Sequence, residues 1–443
     1  MDEMTKEIAE LIRETDITER PELEEAARRA LADYLAAYMA GVREEAPKRL
    51  AAFLKSRRGE TPVIGFSIET TPEAAALLYG FTSHYLDFDD AEANVMGHAS
   101  TVLFSALLPM MDEETAWSDF LSAYIAGLEV EGLLGRIINP GHKHQGWHPT
   151  ATLGPIGAAA AIARLKHFSL AKTAELLSLG ATQSAGLGLE AGTDTKPLHS
   201  GFAAADALRG YELLTLAHLS SSDAVFHRDS GWVKTISGKE LTLGYFRDHW
   251  LHPGEIIFPG LWMKEHPYCS AGIPGAAAVK ALYQEGLRMD EIEEIDFHFP
   301  PGKSYSLHYH RPLTGQAGRF SMEFVAWQIL TYGDVKDELF KEPHVPPAFL
   351  EMLPRFHIVE DLPAVLQETR RIVVTGARKD GTKFRKEIPH PPGSPEKPFT
   401  WEELERKLSL GIAPERARRL ISVFRQERVS WKDVEGLLMN SDL

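Results

Sequence analysis

Residue types used in acid–base chemistry are concentrated between positions 84 and 100. The segment His84-Tyr-Leu-Asp-Phe-Asp-Asp90 contains three aspartates, and Gly97-His98-Ala-Ser100 follows it. A carboxylate can fix the tautomer of a histidine and raise its basicity, so Asp87 and His98 are candidates for a proton-transfer pair. The end of an acidic helix with solvated aspartates would have the same local pattern. The spacing alone leaves both interpretations open.

A second group of histidines ends at His148. The segment His142-Lys-His-Gln-Gly-Trp-His148 precedes Pro149 and a stretch rich in glycine and alanine. Free N–H groups and the dipole at a helix N-terminus favour an anion, so His144 and His148 are candidates for contact with a negatively charged substrate. The histidines lack the HExxH spacing and a carboxylate at a ligand-like offset, so no metal site is predicted. A surface loop with incidental histidines is the alternative.

The third candidate group is centred on Lys196. Lys196 precedes Pro197 at an expected helix start, and His199 follows within the same segment. A cation held there could pair with a substrate carboxylate, and a solvated lysine is the alternative. Gly186-x-Gly188-x-x-Ala191 superficially resembles a dinucleotide fingerprint, but the preceding pattern is helical where a strand is required. No nicotinamide site, and no cofactor, is predicted.

Weaker candidates lie later in the chain. Lys264 shortly precedes Cys269, and the segment His308-Tyr-His-Arg-Pro312 contains Tyr309. A lone cysteine is more often a small buried apolar residue than a nucleophile. Because Cys269 is the only cysteine, it cannot form an internal disulfide, which fits a reducing compartment and predicts a cytoplasmic location.

The elements that position these residues are predicted to be helical up to about residue 264. Apolar residues recur at helical spacing from Leu31 to Met39, and Thr71 before Pro72 predicts the start of a helix that runs toward Asp87. Further helices are predicted over residues 118–138, 150–165 and 169–186.

Strand patterns enter after about residue 265. Residues 295–299 alternate between apolar and polar side chains, which predicts a strand. Asp380-Gly381 lies between two further strand-like segments, and such a pair favours the positive φ angles of a tight hairpin. Residues 321–333 have a helical pattern, so this region is predicted to be mixed α/β.

The C-terminal segment returns to a helical pattern. Thr400 and Glu403 form a capping box that opens a new helix after a proline-rich stretch. We therefore predict a mainly α fold, in which residues 1–264 and 400–443 form a large all-helical domain and residues 265–399 form a smaller α/β domain.

Composition limits the class of function. The chain has 443 residues, of which 44% are hydrophobic and 25% charged, which is typical of a soluble globular protein of two or three domains. Its apolar stretches are shorter than the roughly 18 residues that a membrane span needs, and its start lacks the pattern of a secretory signal. The formal net charge of −16 argues against nucleic-acid binding.

In their order, these segments resemble the MmgE/PrpD family, which includes 2-methylcitrate dehydratases, cis-aconitate decarboxylases and iminodisuccinate epimerases. The matching segments are Ser83-His-Tyr-Leu-Asp-Phe-Asp-Asp90, Gly97-His98-x-Ser100, Gly146-Trp-His148-Pro-Thr-Ala-Thr-x-Gly154, Thr195-Lys-Pro-Leu-His199-x-Gly201-x-Ala-Ala204 and Lys264-x-x-Pro267. The resemblance implies a helical domain built from both chain ends, a smaller α/β lid, a homodimer, and a cofactor-free active site between domain and lid.

The resemblance also implies which residues form the site. The family's aspartate, two histidines and lysine correspond here to Asp87, His98, His148 and Lys196. A lid tyrosine of the decarboxylase branch corresponds to Tyr309, with His308 or His310 as alternatives. Two positions depart from the family's pattern: Ala91 stands where threonine is frequent, and Cys269 stands near the position of a histidine in the decarboxylases.

The function implied by the resemblance is that of a cofactor-independent lyase, of the hydro-lyase type, which removes a proton next to a carboxylate of a small di- or tricarboxylate. Lys196 and the basic loop at His144 would bind the substrate carboxylates. His199 and Lys264 are expected to contact the substrate as well.

The sequence does not determine which imidazole is the base and which is the acid. His148 or His98 would remove the proton and the other would protonate the leaving hydroxyl, with His148 favoured as the base and Asp87 orienting one ring. The alternatives are an epimerase or racemase of a substituted succinate, a cis-aconitate-type decarboxylase, and a non-catalytic carboxylate-binding paralogue.

Overall fold

The computed structural model describes residues 1–426 and 429–439, and 54% of the structure is helical, which confirms the mainly α class. Contacts between Cα atoms divide it into two compact units. The first comprises Met1–Leu189, Thr195–Leu261 and the described residues from Phe399 onward, and the second comprises Glu190–Asp194 and Trp262–Pro398. That the second unit acts as a lid stays a prediction.

The first unit is built from helices. Up to residue 261 its helices are α1 (Glu3–Glu14), α2 (Pro21–Val42), α3 (Glu45–Leu54), α4 (Pro72–His84), α5 (Ala99–Leu107), α6 (Trp117–Ile138), α7 (Gly141–His144), α8 (Pro149–Leu165), α9 (Leu170–Ala181), α10 (Thr195–Thr215), α11 (Trp232–Ser237) and α12 (Tyr245–His249). Its short strands are β1 (Thr61–Pro62) and β2 (Glu69–Thr70), which pair antiparallel, and β3 (Ala91–Glu92). Strand β4 (Leu261–Trp262) ends this stretch of the chain.

The second unit combines helices with a four-stranded sheet. Its elements are α13 (Ile273–Gln284), β5 (Ile292–His298), α14 (Gly315–Gly318), α15 (Met322–Tyr332), α16 (Pro347–Met352), β6 (Phe356–Val359), β7 (Val373–Arg378) and β8 (Lys383–Glu387). The strand order is β6-β5-β7-β8, with β5 parallel to β6 and antiparallel to β7. The chain then rejoins the first unit in α17 (Trp401–Leu408), α18 (Pro414–Phe424) and α19 (Trp431–Met439).

Close packing of α4 against α10 places two of the candidate segments side by side. A Cβ atom added to Gly80 would lie 2.7 Å from the Cα atom of Gly201, and one added to Gly201 would lie 2.4 Å from the carbonyl oxygen of Leu77. Only glycine permits this backbone approach. His84 follows Gly80 by about one turn and Lys196 precedes Gly201 by about one turn. The end of α4 therefore lies next to the start of α10.

Most predicted helix starts agree with the structure, whereas two predicted ends do not. Helix α4 begins after Thr71, whose hydroxyl oxygen accepts the Ala74 N–H, but it ends at His84 and not at Asp87. The reason is a turn in which the Asp87 N–H donates to the His84 carbonyl oxygen and Asp87 itself has a φ of +53°. Likewise α9 ends at Ala181, ahead of Gly186, which has a φ of +143°.

In the later part of the chain, the predicted strand, hairpin and capping box are confirmed. Strand β5 contains residues 295–298 of the predicted strand, and Gly381 in the β7–β8 turn has a φ of +85°. The Thr400 hydroxyl oxygen accepts the Glu403 N–H, while the Glu403 carboxylate accepts the Thr400 N–H. Within the described residues, the helices are either too short or too polar to cross a membrane.

Candidate active site

Asp87, His98, His148 and Lys196 lie close together in the first unit. Lys196 Nζ donates to Asp87 Oδ1 at 2.6 Å, and the same oxygen lies 3.6 Å from His98 Nε2. The ring of His84 links the two histidines, with its centroid 4.3 Å from that of His98 and 6.4 Å from that of His148. All these side chains are buried. The structure thus brings the four predicted residues together, and their catalytic role stays a prediction.

Helix starts hold three of these residues in place. His98 is the N-cap of α5, His148 is the N-cap of α8, and Lys196 lies in the first turn of α10. The His98 N–H donates to Thr150 Oγ1 at 3.1 Å, which ties the start of α5 to that of α8. The partial positive charge at helix N-termini favours bound anions here.

The loop after α4 brings several carboxylates into the cluster. Asp87 adopts the left-handed region of φ and ψ, which aspartate tolerates better than most non-glycine residues. Because of this turn, the Asp87 carboxylate meets Lys196 while the Asp89 carboxylate, two residues later, meets His84. One short loop therefore supplies two carboxylates, and each of them binds a different side chain.

Asp89 is bound by two imidazoles at once. Its Oδ1 lies 2.9 Å from His84 Nδ1, and its Oδ2 lies 3.1 Å from His98 Nδ1. His98 Nδ1 also lies 2.7 Å from the carbonyl oxygen of Asp90. No catalytic or binding role was predicted for His84 or Asp89, although both belong to the candidate segment at residues 84–90. The signal was present as a histidine and an aspartate five residues apart on either side of a turn.

His148 has a different kind of partner. Its Nδ1 atom lies 3.0 Å from His199 Nδ1, and the two ring centroids are 5.1 Å apart. One of the two Nδ1 atoms must carry the hydrogen and the other must accept it, so the pair fixes both tautomers jointly. His199, which was predicted to contact substrate, therefore also contacts the predicted base.

Burial and neighbouring charges set different ionisation states for the aspartates. Burial alone would raise the pKa of Asp89, but His84 and His98 hold this pKa well below its usual value. For Asp90, burial followed by the nearby Asp33 carboxylate raises the pKa well above its usual value. Asp89 is therefore held as an anion, whereas its neighbour Asp90 favours the protonated form more than an ordinary aspartate does.

The imidazoles are kept neutral by the same physical causes. Burial, and after it the positive charge of Lys196, lowers the pKa of His148 well below its usual value. Burial also lowers the pKa of His84, although the Asp89 carboxylate opposes this shift. Neutral imidazole has one donor and one acceptor nitrogen, so both rings can take part in proton transfer.

Part of this cluster has the composition of a metal site. His84, Asp87, Asp89 and His98 each offer a ligand atom, and these atoms lie within 4.8 Å of one another. However, the Asp90 carbonyl oxygen can accept a hydrogen bond only from a protonated His98 Nδ1, and the ammonium of Lys196 is bound to Asp87. A hydrogen-bonded ion-pair network accounts for these contacts better than a set of metal ligands.

The remaining predicted residues lie outside this cluster or in the other unit. His144 is exposed at the end of α7. In the second unit, Lys264 is buried, Cys269 packs in the apolar core, and Tyr309 Oη donates to the Ala191 carbonyl oxygen at 3.1 Å. The participation of these four residues in a reaction stays a prediction.

Comparison with known proteins identifies related sequences over most of the chain. The family model described as the MmgE/PrpD N-terminal domain matches residues 6–243, and that of the MmgE/PrpD C-terminal domain matches residues 266–423. A cis-aconitate decarboxylase from Homo sapiens is 25% identical over 387 residues, which cover 84% of this chain and 76% of that protein. The protein of the same name from Mus musculus is 26% identical over 360 residues, covering 76% of this chain and 71% of that protein.

A fungal relative has a similar identity over a shorter aligned length. It is a cis-aconitate decarboxylase-like protein from Aspergillus oryzae, 25% identical over 314 residues, which cover 65% of this chain and 64% of that protein. The two family models together match well over half of the chain and include each residue of the cluster around Lys196.

Proposed function

Because the chain belongs to the MmgE/PrpD family, we propose that it is a lyase acting on a small di- or tricarboxylate. The observation that carries this proposal is the buried cluster in which the ammonium of Lys196 lies among imidazoles at the starts of three helices. The cluster combines a cation that can hold a carboxylate with groups that can accept and return a proton.

Binding of a carboxylate near Lys196 follows from electrostatics. When a proton leaves the carbon next to a carboxylate, negative charge builds up on the carboxylate oxygens. A preorganised ammonium and the N-termini of α5, α8 and α10 stabilise that charge without having to reorganise. An ammonium has three N–H donors, so the substrate carboxylate can share Lys196 with Asp87.

Proton transfer falls to an imidazole of the cluster. In a dehydration, a lone pair of His98 or His148 takes the proton from the carbon, the C–O bond breaks, and the departing hydroxyl takes up a proton from the imidazolium to leave as water. A positioned acid or base typically contributes about 10²- to 10⁴-fold to such a step. Dehydration of a hydroxy-tricarboxylate such as 2-methylcitrate is therefore our first candidate reaction.

Decarboxylation is the second candidate, and the names of the relatives favour it. Both mammalian relatives are cis-aconitate decarboxylases. In that reaction a C–C bond breaks and carbon dioxide leaves. The electron pair of that bond shifts through the neighbouring double bond to a carbon that takes up a proton from an imidazolium of the cluster. The same cluster could serve here, because the negative charge again develops next to a carboxylate held by a cation.

One assay separates these reactions. The purified protein is incubated with 2-methylcitrate, citrate and cis-aconitate in turn, in deuterium oxide, while ultraviolet absorbance and released carbon dioxide are followed. A rise in absorbance from a new conjugated double bond, without carbon dioxide, supports dehydration. Release of carbon dioxide from cis-aconitate supports decarboxylation. If mass spectrometry of the recovered acid shows deuterium at the carbon, with inversion there and neither product, an epimerase is supported. If absorbance, carbon dioxide and deuterium content all stay unchanged, the lyase proposal is wrong.

A further inference from the structure

We propose that Asp89 is the positioning residue of this cluster and that, by fixing the tautomers of His84 and His98 together, it makes His98 the base. This inference rests on the proposed function, since it names the group that accepts the proton in that reaction. It replaces the preference for His148 that we drew from the sequence.

The hydrogen-bond chemistry of the Asp89 carboxylate fixes the tautomers of both rings. An ionised carboxylate only accepts hydrogen bonds, so each nitrogen that binds it must carry a hydrogen. Asp89 Oδ1 lies 2.9 Å from His84 Nδ1, and Asp89 Oδ2 lies 3.1 Å from His98 Nδ1. Both rings are therefore held as Nδ1–H tautomers, and in each neutral ring the lone pair is on Nε2.

His98 has a second restraint of the same kind. Its Nδ1 atom lies 2.7 Å from the carbonyl oxygen of Asp90, which also can only accept. Two acceptors thus fix the same hydrogen on His98 Nδ1. A ring flip would place an aprotic nitrogen or a C–H group against a buried carboxylate and leave its oxygen without a hydrogen-bond donor.

The position of its lone pair also favours His98 as the base. His98 Nε2 is 3.6 Å from Asp87 Oδ1, the oxygen that accepts from Lys196 Nζ at 2.6 Å. The basic nitrogen is therefore next to the ammonium that is proposed to hold the substrate carboxylate. A proton taken up at Nε2 would be stabilised by Asp87 on one side of the ring and by Asp89 on the other.

His148 is less suited to take up a proton. Its Nδ1 atom lies 3.0 Å from His199 Nδ1, and burial followed by the charge of Lys196 lowers the pKa of His148, whereas carboxylates face the His98 nitrogens at 3.1 and 3.6 Å. A neutral His148 can still donate or accept a hydrogen bond to the substrate. The two histidines therefore have different surroundings: carboxylates face both ring nitrogens of His98, whereas His148 faces another imidazole.

His84 supports Asp89 from the opposite side. It is 1% exposed, and its ring lies 4.3 Å from that of His98 by centroid distance. Its Nδ1 atom lies 2.9 Å from Oδ1 and 3.0 Å from Oδ2 of Asp89, so it holds this carboxylate in place beside His98 Nδ1. His84 therefore acts through Asp89, and we expect its loss to matter less than the loss of Asp89.

Neutron diffraction on a crystal exchanged into deuterium oxide at pH 8 tests the tautomers directly. We expect deuterium on Nδ1 of both His84 and His98, and none on Nε2 of His98. Deuterium on His98 Nε2, or an Nδ1 without deuterium in either ring, would overturn the inference. The experiment needs no substrate, so it stands even if the assay of the proposed function gives no turnover.

Asp89→Asn tests the consequence for catalysis. An amide has one acceptor oxygen and one donor nitrogen, so it cannot accept from both rings and will favour the opposite tautomer in one of them. We expect kcat to fall about 10³- to 10⁴-fold, as for a buried aspartate that orients a catalytic histidine, with KM changed less than about threefold. His84→Gln, which keeps a donor toward Asp89, should lose about tenfold in kcat.

A matched control is available in the second unit. Asp361 accepts from His298 Nδ1 at 2.8 Å, so Asp361→Asn makes the same change in a histidine–aspartate pair outside the cluster. We expect it to leave kcat unchanged. If Asp89→Asn unfolds with the same cooperativity as the parent protein and keeps kcat within about fivefold of it, the positioning role is wrong. If Asp89→Asn does not fold, a fall in kcat of His84→Gln supports the role and an unchanged kcat contradicts it.

Discussion

Lys196 Nζ lies 2.6 Å from Asp87 Oδ1, although the two residues are 109 positions apart in the sequence. The contact exists because the end of α4 packs directly against the start of α10 through Gly80 and Gly201. It places a buried cation among His98 and the other imidazoles of the cluster. The predictions below follow from this ion pair and from the buried ionisable groups around it.

Replacement of the cation should abolish most of the activity. In Lys196→Met the apolar stem remains while the ammonium that stabilises the developing charge is lost. We expect kcat/KM toward the best carboxylate substrate to fall about 10²- to 10³-fold, the usual cost of removing one preorganised donor from such a site. Lys48→Met, at an exposed lysine of α3, is the control and should retain full activity. Steady-state kinetics on both variants measure the difference.

Substitutions of Asp87 should affect turnover through the loss of its charge, and stability through its backbone conformation. Its φ of +53° is tolerated by asparagine but costs other residues with a Cβ roughly 1–2 kcal/mol. Asp87→Asn and Asp87→Ala should both lose turnover, because neither pairs with the ammonium of Lys196. Urea unfolding should show Asp87→Ala to be less stable than Asp87→Asn by about 1 kcal/mol. Equal stabilities would show that the left-handed turn contributes no strain.

Acid should destabilise the first unit through buried histidines. Burial lowers the pKa of His142 to about 4, whereas in the unfolded chain the ordinary value is 6.5. Between these two pH values the unfolded state binds a proton that the folded state does not, so stability falls as the pH decreases.

The loss from this one group amounts to up to about 3 kcal/mol, because each pKa unit corresponds to about 1.4 kcal/mol. His142→Gln should flatten the fall in unfolding free energy between pH 6.5 and 4. His344→Gln, at an exposed histidine, should leave the pH dependence as it is. The opposite result, a steeper fall in His142→Gln, would contradict the assignment.

A rise in pH should destabilise the folded protein through the buried carboxyl group of Glu131. Burial, with the nearby Asp90, raises the pKa of Glu131 to about 8 from an ordinary value of 4.5. Both oxygens of this side chain are buried without a hydrogen-bond partner among the described residues. As the pH rises from 4.5 to 8, the unfolded state releases a proton that the folded state retains, so stability falls over that range.

Replacing Glu131 with an uncharged residue should therefore raise the free energy of unfolding at pH 8. Glu131→Gln should be more stable than the parent protein at pH 8, by up to about 5 kcal/mol, and close to it at pH 4.5. Glu45→Gln, at an exposed position, is the control. Thermal unfolding at both pH values measures the difference, and a stabilisation that is equal at both would rule out the ionisation of Glu131 as its cause.

The sequence predicted the helical class and the main elements because these depend on local patterns. The start of α4 follows from the Thr71 cap, and the β7–β8 hairpin from the positive φ of Gly381. The end of α4 could not be read in this way, because the turn at Asp87 is stabilised by Lys196, a partner distant in sequence. The assignment of Glu190–Asp194 to the second unit depends on tertiary contacts in the same way.

The candidate residues were predicted from their types, but the contacts among their side chains were not. Asp87 was expected to orient an imidazole, but its closest polar partner is Lys196, and it is Asp89 that holds His98 and His84. Adjacent aspartates cannot be told apart by spacing when a left-handed turn between them decides which carboxylate meets which partner. The contact of His148 with His199 likewise depends on how α8 and α10 lie against each other.

The most direct test of the central claim is a comparison of turnover by the parent protein and Lys196→Met on cis-aconitate and 2-methylcitrate under identical conditions. We predict measurable loss of carbon dioxide or water from at least one of these acids with the parent protein, and a loss of at least about 10²-fold in kcat/KM with Lys196→Met. Equal turnover by the two proteins would contradict a lyase site built around Lys196.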